Sequence, residues 1–269
     1  MNDVVIIRSG GDIASGIAHR LHRCGFKVIM LEIEKPLAIR RSVSFADCIN
    51  TLKKEIENVV ARYIKKYDEI YRVWENDEIP LIIDENCDIL NHIKPLALVD
   101  AILAKKNTGT YIDMAPITIG IGPGFEAGVD VDLVVETNRG QALGQVIHSG
   151  KAQENTGIPG NIIGYTIERV IKSPCDGVLT IKEDIGNMVN KGDILCYVDN
   201  EPVKTVISGI VRGMIENNTN VYKGLKIADV DPRGNIEHCS IISDKARAVG
   251  GGVVEAIMHM KNRVLGGEL

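Results

Sequence analysis

The chain opens with a short apolar run, Val4 to Ile7, ended by Gly10-Gly11. A run this short and rich in β-branched residues predicts a strand buried on both faces. Ile13, Ala14, Ile17, Ala18 and Leu21 then recur at helical spacing, and Gly25 supplies a helix stop. Val28 to Leu31 predicts a second strand, ending at Glu32. Strand, glycine turn, helix and strand form a βαβ unit, whose right-handed crossover makes the strands parallel. From Ser44 to Glu78 the pattern is highly charged and predicts mostly helix. Ile79 to Asp84 predicts a strand, and "KPLALVDAILAKK" a helix with Pro95 in its first turn. Ile117 to Ile121 and Val131 to Val135 predict strands flanking a glycine-punctuated loop. Gly150 to Tyr165 is rich in Gly, Pro, Asn and Thr, which marks an irregular connection between domains.

The later half repeats itself. "VNKGDILCYVD" from Val189 and "VYKGLKIADVD" from Val221 share residues at an offset of 32. The offset holds backwards, where Ile171-Lys172-Ser173 matches Val203-Lys204-Thr205 and Gly177-Val178-Leu179 matches Gly209-Ile210-Val211. Each copy holds short strands and glycine turns, too few to bury a face alone. Two copies about a pseudo-twofold axis predict one small β domain. "SPCDGVLTIKEDIGNMVNKGDILCYVD" resembles the first half of a biotinyl/lipoyl-type barrel-sandwich domain. In carriers of that family the prosthetic group sits on a hairpin-tip lysine beside methionines. The corresponding tip here is Asn200-Glu201-Pro202, with no Met-Lys-Met, and Lys204 is matched by Lys172. No biotin or lipoyl group is therefore expected.

The expected fold class is α/β: a Rossmann-like parallel-sheet domain over 1–166, an all-β barrel-sandwich domain over 167–232, and a C-terminal strand/helix segment over 233–269 packing back on the first domain. In that last segment Ser243 is a candidate N-cap, and Gly250-Gly251-Gly252 predicts close backbone approach, to packing or to a ligand.

Composition narrows the function. The 269 residues carry a formal net charge of −5 and only 4% aromatics, which argues against a nucleic-acid partner. No apolar run approaches the roughly 18 residues of a membrane helix, and the N-terminal stretch does not read as a signal peptide. Six scattered cysteines with no CxxC pair indicate neither a zinc site nor a dithiol motif. A cytoplasmic setting is the expectation.

The candidate chemistry lies on the first βα turn. Fitted to the dinucleotide fingerprint, it reads Ser9-Gly10-Gly11-Asp12-Ile13-Ala14, with Ser9 in place of the first glycine. Backbone amides there would approach a pyrophosphate at a helix N-terminus. Asp12 would repel it unless a metal or basic residue intervened. Glu32 stands where a ribose-binding acid would, and Arg40 or Arg41 is a candidate phosphate ligand. Gly122 and Gly124, with Arg139 nearby, form a second candidate anion loop, or a bulged turn. The competing reading of the first turn is a tight connection without ligand.

With "GGDIASGIAHRLHRCGF", "EIEKPLAIRRSVSFA", "IGPGFEAGVDVDLVVETNRG", "NTGIPG" and "ISDKARAVGGGVVEAI" in one order, the chain resembles the YqeB-like family of selenium-dependent molybdenum hydroxylase system proteins. The resemblance implies an accessory or maturation factor that binds a nucleotide or dinucleotide-type cofactor, NAD(P) or a molybdopterin dinucleotide. It implies a molybdenum hydroxylase or another maturation factor as partner, leaves homo-oligomerisation open, and carries no catalytic residue over. The alternative is an NAD(P)-dependent oxidoreductase, or a sulfur or selenium transferase using Cys175 or Cys239.

Overall fold

The structure, a computed structural model, describes residues 3–266, with side chains for 3–262. It divides into two compact units. The first comprises the described residues of Met1–Pro36, Ser44–Asn155 and Ile242–Leu269, and the second Leu37–Val43 and Thr156–Ile241.

The first unit is built on a nine-stranded mixed sheet. β1 (Val4–Arg8) leads through α1 (Asp12–Arg23) to β2 (Lys27–Glu32). After the short α2 (Cys48–Thr51) come β3 (Lys53–Ile56), β4 (Val59–Ile64), α3 (Ile70–Glu75) and β5 (Ile79–Ile83). Then follow β6 (Ala97–Asp100), β7 (Ile117–Ile121), β8 (Glu126–Ala127), β9 (Leu133–Val135), β10 (Val146–Ile147) and β11 (Gly150–Lys151). The sheet order is β10-β9-β7-β6-β1-β2-β5-β4-β3, parallel except at its β10 and β3 edges. Helices are thus combined with a large sheet, the α/β class expected.

The parallel strands are apolar on both faces because both faces are covered. Ile6, Ile29, Leu31, Ile64 and Ile82 pack with Ile70 and Val73 of α3, while the alternating Val5, Ile7, Val28 and Met30 are equally buried. The long helix α5 (Asp244–Gly266) lies along α1. Ser243 accepts from the Ala246 amide, the cap its sequence predicts. A Cβ on Gly16 would lie 2.7 Å from that of Ala246, and one on Gly252 would lie 2.2 Å from the Gly144 carbonyl oxygen. Gly250, 3.0 Å from the Gly16 carbonyl oxygen by the same measure, and Gly252 therefore serve close packing within this unit, whereas Gly251 is open.

One predicted helix, and the middle of a segment predicted mostly helical, are strands instead. "KPLALVDAILAKK" contributes β6, paired with both β1 and β7. The charged 44–78 segment contains the β3–β4 hairpin, whose turn residues Glu57 and Asn58 have φ of 47° and 64°. Positive φ at both central positions marks a tight hairpin turn, which Asn tolerates well. β3 is charged because it is the sheet's edge, where only Ile56 is buried, while β4 lies between β3 and β5 and buries Val59, Ala61 and Ile64.

The second unit holds β12 (Val170–Lys172), β13 (Gly177–Ile181), β14 (Met188–Val189), β15 (Ile194–Val198), β16 (Glu201–Lys204), β17 (Gly209–Met214), β18 (Asn220–Val221), β19 (Lys226–Asp231) and α4 (Glu237–Ser240). Its antiparallel sheets run β12-β19-β17-β14 and β16-β15-β13-β18. Shifting every strand by the sequence repeat turns the first order into the second. The core repeats too: Ile171, Leu179, Val189, Leu195 and Val198 match Val203, Val211, Val221, Ile227 and Val230, all in one cluster. Gly192 donates to Thr205, and its counterpart Gly224 to Ser173, each at 2.8 Å. Each copy's exposed glycine turn thus donates to a buried residue of the other copy. Among the described residues no helix is long and apolar enough to cross a membrane.

Candidate functional site

The strand order of the first unit reverses between β1 and β6. From β1 the chain proceeds through β2 and β5 on one side, and from β6 through β7 and β9 on the other. In such sheets ligands bind outside the carboxyl ends of the strands at this switch point. Arg8 and Asp100, which end the two strands, are direct cross-strand partners. Their ion pair is 3.0 Å long and nearly sealed from solvent, with Arg8 7% and Asp100 1% exposed. Arg8 also donates to Thr110 Oγ1, and Thr110 donates to Asp100 at 2.6 Å. This buried polar cluster ties together the carboxyl ends of β1 and β6. Sequence reading passed over Arg8, although an arginine ending a fully buried strand needs a buried partner.

The turn that follows β1 is Ser9-Gly10-Gly11. Ser9 has φ 102°, a conformation that costs a non-glycine residue about 1–3 kcal/mol. Glu32 holds it there. One carboxylate oxygen accepts from the Gly10 amide at 2.8 Å and the Ser9 hydroxyl at 3.3 Å, and the other accepts from the Ile33 amide at 2.7 Å. Burial pushes the Glu32 carboxyl up from its ordinary pKa, against the pull of these hydrogen bonds. Glu32 is thus spent on the loop rather than presented to a ribose. The Gly10 amide points to Glu32 and the Gly11 amide to Ser9 Oγ, so neither is directed at a phosphate. Asp12 and Ile13 form the first turn of α1 beyond them.

A basic residue does stand near Asp12. Lys245, in the first turn of α5, is half-buried. Burial and the neighbouring Arg139 charge hold its ammonium below the ordinary lysine range, while Asp12, Glu136 and Asp244 oppose them. Arg139 itself makes a forked ion pair with Asp244, at 2.6 and 3.1 Å. The structure therefore brings Asp12, Arg139 and Lys245 into one electrostatic neighbourhood at the starts of α1 and α5.

The remaining candidates lie elsewhere. Gly122 and Gly124 have φ of 77° and 115°, and a Cβ would meet Thr137 Oγ1 at 2.6 Å and the Lys106 backbone at 2.8 Å. Close approach of the protein's own chain accounts for both. Arg40 and Arg41 belong to the second unit and are engaged there. Arg40 donates to the carbonyls of His238 and Ile241, and Arg41 to that of Met214 and to Asp184 and Glu216. Cys239 is buried, and burial pushes its thiol up despite the lowering fields of Arg40 and Arg212. A thiolate nucleophile wants the opposite shift. Cys175 is half-buried in the same unit. No cluster of three or more His, Cys, Asp or Glu suited to a metal occurs among the described residues.

No family model matches the chain. It is similar to "Uncharacterized protein YqeB" of Escherichia coli strain K12, with 48% identity over 262 residues, covering 97% of this chain and 48% of that protein. Among solved structures it is similar to the product-bound ectoine utilization protein EutE (DoeB) of Ruegeria pomeroyi, with 13% identity and a TM-score of 0.24, covering 85% of this chain and 57% of that one. An aspartoacylase family protein of Mesorhizobium loti gives 10% identity and a TM-score of 0.28, covering 86% and 85%. Neither score carries a functional argument. The chain spans about half the length of the curated relative it matches, and over that half its sequence fits the YqeB-like family.

Proposed function

We propose that the first unit binds a nucleotide or dinucleotide-type ligand at the start of α1, and that the chain serves as an accessory or maturation factor for a selenium-dependent molybdenum hydroxylase. The candidate ligands are NAD(P) and a molybdopterin dinucleotide. The observation that carries the ligand reading is the Ser9 turn: a strained residue clamped by a buried carboxylate at the sheet's switch point. Strain of this kind persists only where surrounding structure enforces it, and it clusters at ligand sites. The pyrophosphate would lie over the first turn at Asp12 and Ile13, with Lys245 and Arg139 offsetting Asp12. The accessory role rests on the ordered sequence blocks that resemble the molybdenum hydroxylase system proteins. The second unit is read as an unmodified barrel-sandwich module that docks the hydroxylase or another maturation factor. Its internal symmetry supports that reading, and Lys204 is an ordinary exposed member of the repeat.

Calorimetric titration with NADH, NADPH, cytosine dinucleotides and molybdopterin forms tests the ligand. Gly11→Ala is the informative variant, because its Cβ would meet only Ser9 Oγ, at 3.5 Å. The fold should survive while binding weakens by about tenfold or more, or about 1.4 kcal/mol. Absence of saturable heat with every one of these ligands would remove the proposal.

A further inference from the structure

A cleft of about 370 Å³ lies in the first unit, between the β3–β4 hairpin and α3. That volume is within the range of small-molecule sites. Ile64 and Val73 supply apolar lining, and both are buried members of the core. Leu52 also lines the cleft; it is 63% exposed and held in the left-handed region at φ 65°. An exposed leucine in a strained conformation beside a cavity is an uncommon combination for a purely structural residue.

The polar groups of the cleft divide by what they already hold. Arg62 is committed to Glu78 through a forked pair at 2.5 and 2.9 Å. Arg72 lines the same cleft, and among the described residues its guanidinium has no hydrogen-bond or ion-pair partner. Glu69 uses one carboxylate oxygen, Oε1, to accept from the Lys65 and Lys66 amides, and among the described residues Oε2 has no partner. Arg72 and Glu69 lie three residues apart, at the start of α3 and just before it, and so share one side of the chain. The cleft therefore offers one unused cationic fork, one unused anionic oxygen and an apolar floor. With Arg62 and Glu78 cancelling, its charges sum to zero. A phosphate dianion would pair with Arg72 but face the Glu69 carboxylate, whereas a zwitterion matches both open groups.

We propose that this cleft binds a free α-amino acid with an apolar side chain. Its carboxylate engages the Arg72 fork, its ammonium engages Glu69 Oε2, and its side chain lies against Ile64, Val73 and Leu52. This site is independent of the nucleotide reading, since it uses neither the Ser9 turn nor Lys245.

The test is a titration of the full chain with L-leucine, followed by amide chemical-shift changes in residues 52–76. Two probes dissect the charges: 4-methylpentanoate lacks the ammonium, and isopentylamine lacks the carboxylate. Saturable shifts with leucine, and binding about tenfold weaker or worse for each one-charge probe, are expected. Arg72→Gln should abolish the advantage of leucine over isopentylamine. Glu69→Gln keeps an acceptor for the two backbone amides and should abolish the advantage over 4-methylpentanoate. Both variants should retain the wild-type melting temperature, because neither removes a buried contact. No saturable shift with leucine, equal affinity for the three probes, or unchanged leucine binding in Arg72→Gln would each overturn the proposal.

Discussion

Adjacent glycines of α5 should respond to alanine in opposite directions. A Cβ on Gly251 would meet no heavy atom within 4 Å. Gly251→Ala therefore acts through helix propensity alone, which stabilises by about 1 kcal/mol. Gly252→Ala gains the same term, but its Cβ would lie 2.2 Å from the Gly144 carbonyl oxygen and 2.9 Å from Val135 Cγ1. Ordinary contact begins near 3.4 Å, so a backbone carbonyl must retreat by about 1 Å. Overpacking of this kind costs about 1–3 kcal/mol, and more when backbone must move. The two variants should thus differ by about 1–3 kcal/mol, or roughly 5–150-fold in unfolding equilibrium constant. Urea unfolding of the full chain, followed by helical circular dichroism, reads the difference. Equal midpoints for the two variants would show that Gly252 is not the packing contact, and the account of the triplet would fall. A companion test exchanges the residues of the α1–α5 contact: Gly16→Ala should destabilise, and adding Ala246→Gly should restore part of the loss.

Removing one partner of the buried Arg8–Asp100 pair, as in Asp100→Ala, should cost about 3–5 kcal/mol by urea unfolding, whereas Arg8→Met with Asp100→Leu should recover much of it. Asp231 is fully buried; burial alone would raise its pKa, but Arg233 and Arg212 hold it down to about 2. Its contribution of about 2 kcal/mol should be present above pH 4 and lost as pH falls toward 2, which hydrogen exchange across β17 and β19 can follow. His19 and His22 are both lowered by burial, so they contribute stability above pH 6.5 that is lost as pH falls through their folded pKa values. A double His→Gln variant should flatten that part of the pH–stability curve, and an unchanged slope would assign it to other groups.

The repeat was the most legible part of the sequence, because symmetry makes each copy a check on the other. Five core pairs and two glycine turns fall at the same offset, so the repeat was readable, whereas the strand order comes from the structure. The first βαβ unit was legible for a different reason: an unbroken apolar run, a glycine turn and a helical stripe occur within 32 residues. "KPLALVDAILAKK" misled because four apolar residues after a proline fit a helix start as well as a strand. Only partners on both sides, β1 and β7, decide between them. The β3–β4 hairpin was hidden by its charge, although Glu57-Asn58 between Ile56 and Val59 was a readable turn signal. At the candidate site, the glycine turn was legible but its use was not. Glu32 sits at the spacing of a ribose ligand, yet spacing cannot show that the carboxylate turns inward to the Gly10 amide. Arg40 and Arg41 likewise follow β2 closely in sequence while belonging to the second unit.

That interleaving bears on how the protein is made. Leu37–Val43 is synthesised long before the rest of its unit, and α5 is the last described element to leave the ribosome. Until then the glycine-notched side of α1 and the edge near β9 and β10 lack the helix that packs on them. Neither unit can finish folding while its own segments are still being translated, so the second unit waits for Ile241 and the first for α5. A stop codon before Ile242 would leave the large sheet permanently short of a covering helix, and such truncation products should be captured by chaperones or degraded rather than accumulate as a folded first unit.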